Sequence, residues 1–133
     1  MQISDFRLQI VSCDTDELKL RTKQFALRVI RLVAVLPKTI EGRAIASQLV
    51  RSGTSVAANY RAACRARSRS EFVAKMGVVL EEADETQLWL ELITEAKLLP
   101  VKLVEPLLEE ANELVAIFVA SRKSASSNLR STV

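Results

Sequence analysis

Apolar residues recur at three- and four-residue steps along most of this chain, and only three glycines and three prolines interrupt them. That spacing keeps one side of an α-helix apolar over several turns, and it is incompatible with the alternation of a strand. No segment shows a strand's alternating pattern. The prolines therefore read as punctuation between long helices. Leu18, Phe25, Val29, Leu32, Val33 and Leu36 predict a first helix over about 16–36, capped by Asp14 or Thr15 and stopped by Pro37. Ile45, Leu49, Val56, Tyr60 and Ala63 predict a second over about 41–66. Ser68-Arg69-Ser70-Glu71 spells a capping box. It opens a third helix to about Leu98, with Phe72, Met76, Val79, Leu80, Ala83, Leu90 and Ile93 on its inner side.

Pro106 suits the first turn of a fourth helix, which would end near Arg122 and turn Leu107, Leu114, Ile117 and Phe118 inward. Four long helices with short links predict an all-α fold, an antiparallel up-down-up-down four-helix bundle. Its expected limits are 15–123, with an N-terminal extension over 1–14 and a flexible C-terminal tail over 124–133.

A chain of 133 residues supports one such core and not two. It has no histidine, which excludes Ser–His and Cys–His couples and most zinc sites. Carboxylate di-iron bundles also need histidine partners, and no calcium loop is present. No catalytic constellation, metal or cofactor is expected. Cys13 and Cys64 form no CxxC pair, so a reducing cytoplasm is the expected compartment. The N-terminus carries acids too early for a signal-peptide core. Stretches such as LVAVLP and LVAIFVA are too short to span a membrane.

The net charge is only +3, so any nucleic-acid surface must come from the placement of charges. Between Arg43 and Ser70 lie Arg43, Arg51, Arg61, Arg65, Arg67 and Arg69 without a single acid. Arg43, Arg51, Arg61 and Arg65 share a sector of about 80° on the helical wheel. Planar guanidinium groups suit phosphate. The next helix offers a rival partner: Glu81, Glu82 and Glu85 belong to an acidic run with no Lys or Arg between Met76 and Ala96. The arginines either meet phosphates or answer these acids. Ser52, Gly53, Ser55 and Ala57, with Tyr60, predict a close-packing seam against a second subunit; the alternative is plain surface alanine and serine. Gly53 in mid-helix costs about 1 kcal/mol against alanine, which a packing role would explain.

Residues 47–96 carry a recognisable combination: Ser47, Gln48 and Arg51; Ser55, Ala58 and Asn59; Arg67 and Ser68; Glu71 and Phe72; Glu82, Ala83 and Glu85. In this the chain resembles the bacterial four-helix-bundle proteins of 23S rRNA intervening sequences, over roughly residues 18–120. Many members read N-I-x-E-G after the shared asparagine. This chain reads NYRAACRAR, so a role tied to that glutamate does not carry over. The resemblance implies a helical bundle, a homopentamer and an RNA-linked setting. A related group, the accessory variability determinants of diversity-generating retroelements, implies a basic surface that engages nucleic acid. The expected function is non-enzymatic binding of structured RNA by an oligomer. The alternative is a protein-interaction adaptor whose arginines are taken up by helix-three acids.

Overall fold

The computed structural model describes residues 15–131. Asp14, Cys13 and the rest of the extension lie outside them. Four helices follow in order: α1 (Thr15–Ala34), α2 (Ile40–Cys64), α3 (Arg69–Glu95) and α4 (Val101–Ser131). Consecutive helices pack side by side, and α1 meets α4 more sparsely to close the bundle. This is the antiparallel four-helix bundle that the periodicity predicts. The ring order α1–α2–α3–α4 puts α1 and α3 on opposite corners.

The expected stripes supply the core. Phe25, Val29, Leu49, Val56, Met76, Val79, Leu90 and Ile93 are all buried. Each fully buried apolar side chain of this size stabilises the fold by about 1.5–3 kcal/mol. Leu18, Val33, Ile45 and Leu80 pack at its margin. Across the α1–α4 seam, the Arg21 guanidinium donates to both carboxylate oxygens of Glu110, at 2.7 and 2.8 Å. That pairing raises the pKa of Arg21.

The ends are specified locally. Thr39 caps α2 by accepting the Gly42 N–H at 3.1 Å. A side chain at position 42 would run into the Pro37 carbonyl, which is why the turn carries glycine there. Ser68 caps α3 as predicted, accepting the Glu71 N–H at 3.1 Å. The Glu71 carboxylate reaches one residue further back than a standard capping box, to the N–H of Arg67 at 3.2 Å. At the far end of α3, Leu98 N–H donates to the Ile93 carbonyl (3.0 Å) and Lys97 N–H to that of Thr94 (3.1 Å). This cap places Lys97 at φ 57°. A non-glycine residue there costs roughly 1–2 kcal/mol, partly offset by a lysine's attraction to the helix C-terminus. Lys97→Gly is accordingly expected to raise Tm by roughly 2–4 °C in a thermal melt. A lower Tm would show that the lysine's charge outweighs the backbone cost.

Two expectations about α4 need correction. The helix begins at Val101 rather than Pro106, and Pro106 sits exposed inside its second turn. Val104 is fully buried and continues the inward steps of Leu107, Ala111 and Leu114, which draws the helix back past the proline. At the other end, residues 124–131 are helical rather than a solvated tail, and Ala125 is buried. Ile117 is only half-buried.

Candidate nucleic-acid interface

The six arginines do not act as one face. Arg51 is clamped across the α2–α3 seam, donating to Glu82 at 2.9 Å and pairing with Glu85 at 2.6 Å. The guanidinium holds the Glu85 carboxyl below the usual carboxylate range. Trp89 adds an indole N–H to the same carboxylate at 3.2 Å. For Arg51, Glu82 and Glu85 the acid-pairing alternative therefore holds. Glu81 remains exposed and takes no part.

Register explains why the pairing stops there. Arg51 meets Glu82 and Glu85, and Ser52 meets Thr86. Because the helices run antiparallel, ten residues onward in α2 corresponds to about ten residues back in α3. Arg61 and Arg65 thus lie opposite the first turns of α3, where Glu71 is the sole acid and is engaged with Arg67 N–H and Lys75. Among the described residues, the side chains of Arg43, Arg61, Arg65 and Arg67 are exposed and form no ion pair. Arg61, Arg65 and Arg67 gather at the α2–α3 turn. Arg43 stands about 27 Å away from Arg61 along the helix at 1.5 Å per residue. Arg69 is half-buried at the start of α3.

The small residues are used inside the chain rather than between subunits, which corrects the oligomer-packing assignment for three of them. Gly53 lies against Val29 of α1, so close that a Cβ there would stand 2.8 Å from either Val29 methyl. The Ser52 hydroxyl is buried and within reach of Thr86 (2.9 Å) and the Leu49 carbonyl (3.3 Å). Tyr60 is buried and stacks on Phe118 at a centroid separation of 5.8 Å. Ser55 and Ala57 are half-buried at the flanks. Thr86 was missed by apolar periodicity because its side chain is a hydroxyl, although it continues the inner stripe of α3.

Cys64 is half-buried, and burial pushes its thiol pKa up, which suits a structural thiol. Among the described residues, no group of His, Cys, Asp and Glu is placed to hold a metal ion, and no helix is long and apolar enough to cross a membrane.

Comparison with known proteins fits this arrangement. Residues 17–120 match the model of the 23S rRNA-intervening sequence protein family. The chain belongs to that family. A crystal structure of a protein of unknown function from the S23 ribosomal protein family of Bacteroides thetaiotaomicron is similar at 30% identity and a TM-score of 0.76. The match covers 83% of this chain and 98% of that one. No curated protein matches the chain.

Proposed function

We propose that this protein is a non-enzymatic helical bundle that self-assembles and binds structured RNA in the cytoplasm. Arg61, Arg65 and Arg67 are the principal contacts, with Arg43 as an outlying one. The observation that carries this reading is the contrast within one helix. Arg51 is paired with two carboxylates, whereas Arg61, Arg65 and Arg67 are exposed and, among the described residues, pair with no acid. Unpaired guanidinium groups keep their forked donors available for phosphate oxygens. Five copies is the number that the family resemblance implies for the assembly.

A titration of RNA binding against salt tests the reading. The log–log slope should be about −0.7 per neutralised phosphate on single strands, so Arg61→Gln with Arg65→Gln should flatten it by about 1–1.5. Arg51→Gln should leave the slope unchanged, because that side chain is already occupied. Absence of wild-type binding at about 50 mM salt, where phosphate contacts are strongest, would overturn the proposal and leave the adaptor reading.

A further inference from the structure

The bundle leaves two apolar stripes uncovered. On α1, Leu20, Leu27 and Ile30 are 55%, 40% and 45% exposed although they are large aliphatic side chains. With Lys23 and Ala34 they fall at 20, 23, 27, 30 and 34, the alternating three-and-four spacing of a coiled-coil seam. This stripe points away from Phe25 and Val29, and among the described residues nothing in the same chain covers it. On α3, Val78, Leu88 and Leu92 are exposed in the same way. With Ala74, Glu81, Glu85 and Glu95 they fall at 74, 78, 81, 85, 88, 92 and 95. Two solvent-facing stripes with the period of helix pairing are more than scattered surface leucines require.

Their charges differ in sign. From Leu18 to Ile40 there is no acid; the exposed Lys23 lies within the α1 stripe, and the exposed Arg31 flanks it. From Met76 to Ala96 there is no base; the exposed Glu81 and Glu95 lie within the α3 stripe, and the exposed Asp84 and Glu91 flank it. Pairing α1 with α1, or α3 with α3, would bring like charges together. Pairing α1 with α3 satisfies both the apolar seam and the flanking charges.

We infer that the outer face of α1 in one copy packs lengthwise on the outer face of α3 in the next. The two stripes occupy opposite corners of the bundle, so no twofold contact can use both. The contact is heterologous, and the assembly is a closed ring where the rotation from one copy to the next returns to the first. In the up-down-up-down order α1 and α3 run the same way, so the paired helices are parallel. The inference specifies the self-assembly proposed above and is independent of RNA binding.

Light scattering on the full chain without RNA tests it. The wild type should have a mass several times 14.8 kDa. Leu27→Glu and Leu88→Lys, each at an exposed site, should separately give monomers with unchanged helicity. The decisive step is mixing the two variants. Each keeps one intact face, so an equimolar mixture should form a species of two chains and nothing larger. A monomeric wild type at micromolar concentration would overturn the inference while leaving the salt titration of RNA binding meaningful. So would a Leu88→Lys variant that still assembles, or a mixture that stays monomeric.

Discussion

Gly53→Leu should destabilise the bundle by about 3 kcal/mol, the upper part of the usual range for overpacking a core. The origin is a close approach between α1 and α2. A Cβ at position 53 already stands 2.8 Å from both methyls of Val29, and Val29 is itself fully buried. The extra atoms of leucine cannot rotate away without moving a helix. Gly53→Ala separates this effect from helix propensity. At a solvent-facing position alanine would gain about 1 kcal/mol; here that gain should be cancelled or reversed. Adding Val29→Ala should recover part of the loss caused by Gly53→Ala, since the two sites share one contact. Urea midpoints with a constant m-value are the measurement. An unchanged midpoint for Gly53→Leu would mean that the helices stand further apart than 2.8 Å to that methyl implies.

Thr86→Val should cost about 1–3 kcal/mol, although the two side chains have nearly the same shape. The Thr86 hydroxyl lies 2.9 Å from Ser52 Oγ and 2.8 Å from the Glu82 carbonyl, and Ser52 also reaches the Leu49 carbonyl at 3.3 Å. Two hydroxyl protons serve these three contacts in a site where both residues are fully buried. Removing Thr86 alone leaves Ser52 with its longest contact only. Removing both hydroxyls, as Ser52→Ala with Thr86→Val, leaves no stranded polar side chain and should cost clearly less than the separate changes added together. Strict additivity across this cycle would show that the hydroxyls act independently.

Much of the fold was legible because helix periodicity and burial report the same thing. Phe72, Met76, Val79, Ala83, Leu90 and Ile93 sit on the side of α3 that their spacing assigns to the core. The Ser68 cap needed only a short local pattern. Pro106 misled because local chemistry favours it in a first turn. The nonlocal burial of Val104 outweighs one missing N–H at an exposed position. Ala125 was hidden in a serine-rich stretch whose composition resembles a tail, although its position extends the α4 stripe.

The arginines were legible as a group and illegible as individuals. A helical wheel places Arg51 beside Arg61 and Arg65, but which of them reaches an acid depends on the α2–α3 register. That register follows from contacts such as Ser52 with Thr86, which the sequence of either helix alone does not contain. For the same reason, small residues at 52 and 53 could be recognised as a close-packing surface without revealing that its partners were Thr86 and Val29.

In the assembly proposed above, the diagonal placement of α1 and α3 would also set the valency. With those two corners engaged by neighbours, α2 and α4 would form opposite walls of the assembly. Arg61 and Arg65 stand on one wall, and the exposed Glu105, Glu109 and Glu113 on the other. A chain whose net charge is only +3 would thereby gather exposed arginines on one side of the proposed assembly. RNA bound as proposed along the wall that holds Arg61 and Arg65 would meet the same guanidinium cluster once per protomer, each contact after the first being intramolecular. Such linkage can raise affinity by about 10²–10⁴ without any new contact. Leu27→Glu should therefore weaken RNA binding far more than its distance from the arginines suggests.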